Sequence, residues 1–179
     1  PRFHLLSHAM GGFTAFEVMR QAPERVLSLV LIATLAPNDG PAQTERRQGY
    51  IRLVEAGRFA DVVEERIPIL VHPARREDGP LLNLVRRMAA ETGAATFLRQ
   101  QRAIMSRADS RPSLSAIACP TLVIRGEQDG ITTPAHQDEI VGAIAGSQFE
   151  AIADCGHLPT LEKPVTTNRL LRAWLSGRD

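Results

Sequence analysis

Three short stretches of the chain carry residue types that could do acid–base chemistry together. Ser7-His8-Ala9-Met10-Gly11-Gly12 is a glycine-rich sharp turn. Arg125-Gly126-Glu127-Gln128-Asp129-Gly130 supplies acidic residues, and Asp154-Cys155-Gly156-His157-Leu158-Pro159 supplies a Gly-His pair. Turn, acid and His in that chain order are the parts of a nucleophilic triad. The long gap between the first two stretches leaves room for a further structural unit.

The elements around these stretches read as an α/β fold. Phe3–Leu6 reads as a short buried strand, and Gly12–Gln21 as a helix ended by Pro23. Val26–Ile32 is a near-continuous apolar run, suited to a parallel strand buried on both faces. Strand, turn, helix and strand make a crossover unit of an α/β domain. Residues 41–111 differ. They hold more Arg than acid, and apolar residues such as Tyr50, Val54, Phe59, Val62, Leu81, Val85, Phe97 and Ile104 recur at helical spacing. Four or so amphipathic helices without strands are expected there, either a lid over a pocket or plain surface helices. The α/β pattern returns with a strand at Thr121–Ile124, a helix at Pro134–Ala145, a strand at Gln148–Ala153 and a closing helix at Thr166–Leu175. The expected division is 1–40 α/β core, 41–111 helical lid and 112–179 α/β core. Ligands of a parallel sheet sit beyond the strands' carboxyl ends, where the three stretches fall.

Composition narrows the function. The 179 residues are 44% hydrophobic and 23% charged with a net charge of +1, which excludes disorder and gives no pull towards nucleic acid or an anionic membrane. The longest apolar run, Val26–Ala36, is too short to span a bilayer. The two cysteines, Cys119 and Cys155, make no disulfide framework and no zinc spacing, so a cytoplasmic setting without metal is expected. No glycine-rich dinucleotide fingerprint follows a strand, and no cofactor is expected.

With these stretches in view, the chain resembles the α/β-hydrolase fold family, specifically its lid-bearing esterase, lactonase and carrier-protein methyl-esterase group. The resemblance rests on Phe3–Gly12, Cys119–Asp129 (CPTLVIRGEQD) and Ala153–Pro164 (ADCGHLPTLEKP). It implies hydrolysis of a carboxylic ester or lactone of a small molecule. It implies that Asp129 orients the imidazole of His157, that His157 shuttles the nucleophile's proton, and that the Met10 N–H is one oxyanion donor. Glu127 precedes the matching position. It further implies that the elbow strand is the fifth of eight. The chain, which starts at Pro1, would then hold the last four strands and lack the loop giving the second oxyanion donor. Phe3–Leu6 would be an exposed apolar edge.

The turn departs from the family pattern Gly-x-Ser-x-Gly. Ser7 replaces the first Gly, and Ala9 stands at the nucleophile position, with His8, Gly11 and Gly12 completing the elbow. A methyl group cannot attack a carbonyl, so strong impairment is expected. Ser7 is expected to sit too deep to substitute, Cys155 to fill space, and His8 to pack beside the turn. His4 reads as a core His and His136 as a solvated one, and His72 could line the pocket. Glu162 and Lys163 read as a solvated helix start, and Arg107, Asp109 and Arg111 as an ion-paired hinge. Two alternatives stay open: a non-catalytic, small-ligand-binding member of the fold, and lyase or cofactor-free oxygenase chemistry.

Overall fold

A computed structural model describes residues 1–177. Four strands, β1 (Phe3–His8), β2 (Val26–Ile32), β3 (Thr121–Gly126) and β4 (Gln148–Ile152), form one sheet in the order β1-β2-β3-β4. Every pairing is parallel. The fold is therefore the expected α/β arrangement. Strand β1 runs two residues past the expected Leu6, because His8 still pairs with Ile32.

Strand β2 is buried on both faces, as its unbroken apolar run requires. Alternate side chains point to opposite faces. Leu29 and Leu31 pack with Phe16 of α1 (Met10–Gln21) and with Ile140 of α6 (Pro134–Ala143). Val30 and Ile32 pack on the other face with Ile124, Ile152 and Trp174, the last from α8 (Pro164–Leu175). A short helix, α7 (Pro159–Glu162), precedes α8 and was not expected from the sequence. Pro159 and Pro164 open the two helices and mark the break between them.

Between β2 and β3 run α2 (Pro41–Glu55), α3 (Phe59–Leu70), α4 (Gly79–Thr92) and α5 (Ala94–Ser106). Tyr50, Val54, Val62 and Phe97 pack among themselves, with Phe59 against Phe97. A second cluster, Ile67, Val71, Leu81, Leu82 and Val85, takes in Leu158 and Leu161, and so docks these helices on the loop after β4. The return to the sheet keeps the expected ion-paired hinge in Arg111 and Asp109, while Arg107 anchors elsewhere. Arg107 does not pair with Asp109. It binds Asp39 at 3.0 Å and the Pro37 carbonyl at 2.8 Å, and lies over the Phe13 ring. Arg111 takes Asp109 and Glu139 instead. Among the described residues no helix is long and apolar enough to cross a membrane.

Strand β1 pairs with β2 alone among the described residues and leaves Leu6 41% exposed. An edge that shows both unpaired backbone groups and apolar side chains invites strand pairing. This chain by itself should therefore self-associate with rising concentration in sedimentation experiments. Leu6→Lys should reduce the association. A chain that stays monomeric and melts cooperatively above about 60 °C would contradict the expectation.

Candidate active site

The elbow is a strained turn. Ala9 has φ 49 and ψ −115, between the end of β1 and the first turn of α1. A non-glycine residue rarely adopts positive φ, and the surroundings hold it there. The Ala9 N–H donates to the Ile32 carbonyl at 2.9 Å, while the Ala9 carbonyl accepts from the Gly12 N–H and the Thr34 hydroxyl. Gly12 is required for this packing, since a Cβ there would lie 2.2 Å from the Thr34 hydroxyl oxygen. Met10 opens α1, so its N–H has no acceptor within the helix and can serve a ligand. The Ser7 hydroxyl is turned away and donates to the Val30 carbonyl at 3.1 Å.

The acid and the His meet from two separate loops. His157 Nδ1 lies 3.0 and 2.9 Å from the two oxygens of Asp129, and the residues are 4% and 7% exposed. A carboxylate only accepts, so Nδ1 carries a proton. Asp129 also accepts from the Ile131 and Thr132 N–H groups and from the Thr132 hydroxyl. Burial pushes its carboxyl up, but the His157 hydrogen bond and charge and the Thr132 donors outweigh burial and hold it below the usual range. Glu127 is exposed on the outside of the loop.

Three residues that position this pair were missed or misread in the sequence. Arg125 is buried within β3 and clamps the acid loop, donating to the carbonyls of Thr132, Glu127 and Asp129. Glu162 is not a solvated helix residue. It is 5% exposed, and its carboxylate accepts the N–H groups of Gly156, Leu158 and His72. It thereby grips both neighbours of His157 and ties them to the segment after α3. The His157 N–H completes the joint by donating to the Leu70 carbonyl at 2.9 Å. His8 does more than pack beside the turn. Its Nε2 lies 2.8 Å from the His157 carbonyl, which only accepts, so Nε2 carries a proton. Burial, then the neighbouring His157, keep its pKa below the ordinary value. Glu162 stands two residues before the helix-opening Pro164, and nothing local in the sequence distinguishes it from a surface acid.

The remaining candidates fall elsewhere. Ala9, Met10, Phe13, Ala33, Thr34, Leu35, Ile104, Ile131, Thr132 and His157 border one cavity of about 110 Å³, together with Arg47 and Arg66. His72 does not line it; its ring caps the turn Pro73–Arg75. His4 bonds Ser28, and His136 is half-buried, accepting the Thr133 N–H at the start of α6. Cys155 is fully buried, and burial followed by the Glu162 carboxylate pushes its thiol up to about 12. A thiol with so little thiolate is inert packing. Among the described residues no cluster could hold a metal ion.

Two outcomes follow. Glu162→Gln presents an NH₂ where three N–H groups need an acceptor, and should cost about 1–3 kcal/mol in urea unfolding. His8 resists protonation when folded, so the unfolded chain takes up the extra proton. Stability should then fall as pH drops below about 6.5. His8→Gln should flatten that part of the profile; an unchanged slope would show that other groups cause it.

The geometry agrees with what known proteins show. A family model described as alpha/beta hydrolase fold matches residues 1–164. The dihydrolipoyllysine-residue acetyltransferase component of the acetoin cleaving system of Cupriavidus necator is 29% identical over 97% of this chain and 46% of its own length. The 3-oxoadipate enol-lactonase 2 of Acinetobacter baylyi is 28% identical over 92% of this chain and 60% of its own length. A thermophilic esterase from Thermogutta terrifontis superposes with a TM-score of 0.92 at 30% identity, over 99% of this chain and 65% of that structure. The chain thus spans between about half and two thirds of the proteins it matches. Fold, elbow and family model agree, and the chain belongs to the alpha/beta hydrolase fold family.

Proposed function

We propose that this site is built to hydrolyse a carboxylic ester or lactone of a small acid, and that Ala9 leaves the chain as it stands strongly impaired. The observation that carries the reading is the Asp129–His157 pair, set on the cavity that the strained elbow at Ala9 also borders. With Ser at position 9, His157 would take the hydroxyl proton as it attacks the carbonyl and return it to the leaving group. Asp129 would hold the ring and stabilise the imidazolium. The Met10 N–H would face the oxyanion. The helices of 41–111 would act as the lid over this cavity, since Arg47, Arg66 and Ile104 of those helices line it. The similarity to an esterase and an enol-lactonase supports the same reaction class.

Removing the nucleophile of such a triad lowers turnover by roughly 10⁶, with about 10³–10⁴ over water remaining. Ala9→Ser should therefore raise p-nitrophenyl acetate hydrolysis by at least about 10³-fold and make it sensitive to serine-directed organophosphates. Adding Asp129→Asn to that variant should lower it again by about 10⁴ through the wrong imidazole tautomer. Ala9 itself favours a second reading, a receptor that keeps the pocket without the chemistry. Ligand-induced thermal stabilisation of the chain, with no turnover gained by Ala9→Ser, would decide for the receptor.

A further inference from the structure

The hydrolase reading uses His157, Ala9 and Met10 and leaves the two arginines that line the cavity, Arg47 and Arg66, to be explained. Arg47 is accounted for: it pairs with Asp39 and donates to the Gln101 side-chain oxygen at 3.0 Å. Asp39 is itself shared, because Arg107 binds its other oxygen. Arg66, half-buried on α3, has no carboxylate partner among the described residues and leans only on the Phe97 ring at 5.6 Å. The adjacent Glu65 is exposed and interacts with Tyr50. The surroundings are otherwise cationic. Burial, opposed by Tyr50 and reinforced by Arg47 and Arg46, lowers the Arg66 pKa, yet a guanidinium stays charged.

Taking a guanidinium out of water without an anion is unfavourable, and buried charges are ordinarily paired. Arg66 borders two cavities. One lies among α3, α4 and α5, lined by groups such as Val62, Val63, Leu70, Val85 and Phe97 and by no acidic side chain. The other is the site cavity, where Arg66 shares a wall with His157, Ala9 and Met10. The rest of that wall is mostly apolar: Phe13, Leu35, Ile104 and Ile131.

We propose that the site takes an ester or lactone of a short acid that also carries a free carboxylate, and that Arg66 is the receptor for that carboxylate. The planar fork of a guanidinium matches a carboxylate in a bidentate way. The apolar wall would cover the short chain between the charged end and the ester carbonyl at the elbow. A cavity of about 110 Å³ favours a short diacid half-ester over a fatty chain. The proposal rests on the hydrolase reading for the reaction, but its binding half can be tested without turnover.

The test titrates the unaltered chain, by NMR, with monomethyl succinate and with neutral dimethyl succinate. The anionic half-ester should bind at least about tenfold more tightly, and added salt should weaken it. Arg66→Met should abolish that preference, and Arg66→Lys should restore part of it. Equal affinity for the two esters, or a preference untouched by Arg66→Met in a folded variant, would overturn the proposal. If Arg66→Met does not fold, the ester pair on the unaltered chain and Arg66→Lys still decide. The Ala9→Ser chain separates the two readings. Turnover of p-nitrophenyl acetate with no preference for a singly charged p-nitrophenyl glutarate overturns the Arg66 assignment and keeps the hydrolase. Arg66-dependent anion binding without any turnover does the reverse.

Discussion

Asp129 and His157 come from loops after two different strands, and they meet only because those loops approach at backbone distance. Gly126 makes that approach possible. A Cβ on it would run into the Gly156 and Cys155 carbonyl oxygens of the His loop. With the loops this close, water is largely excluded, and a buried carboxylate needs donors to stay charged. Asp129 has the His157 ring, two backbone N–H groups and a hydroxyl. Glu162 meets the same need by gathering three backbone N–H groups. One carboxylate sets the imidazole, and the other sets the backbone that carries it.

The same joint connects the site to the helices of 41–106. His157 donates to Leu70, and Glu162 receives His72, so the end of α3 and the His loop form one hydrogen-bonded unit. Leu158 and Leu161 fill the apolar side of this joint. A shift of α3 would therefore reach the His157 backbone directly, and Arg66 sits on that helix. The end of α3 and the backbone that carries His157 are linked through a few short bonds.

Much of this could be read in the sequence, and the unread part has a physical pattern. The sheet was legible because Val26–Ile32 and Thr121–Ile124 are apolar runs bounded by Pro and Gly. The elbow, acid and His were legible because each lies at a strand end with a glycine that permits close approach. Glu162, Arg125 and Arg107 were not. Their partners are mostly backbone groups, which leave no mark on local spacing, so a buried clamp and a solvated charge look alike. The aromatic residues Tyr50, Phe59 and Phe97 fit both a pocket lining and helix packing by spacing; the structure places them mainly in packing among the helices. The residues that do line the site cavity from that segment include two arginines. Binary hydrophobic patterning assigns such residues to the surface.

The account depends on His157 being held as a base by a charged Asp129, whatever occupies position 9. Nitrogen-15 NMR of the His157 ring in the unaltered chain at neutral pH tests this most directly. It should show a proton on Nδ1, hydrogen-bonded and slow to exchange, with an unprotonated Nε2, and Asp129→Asn should remove that pattern. A ring protonated on Nε2, or an Nδ1 proton exchanging as freely as that of a solvated His, would contradict it.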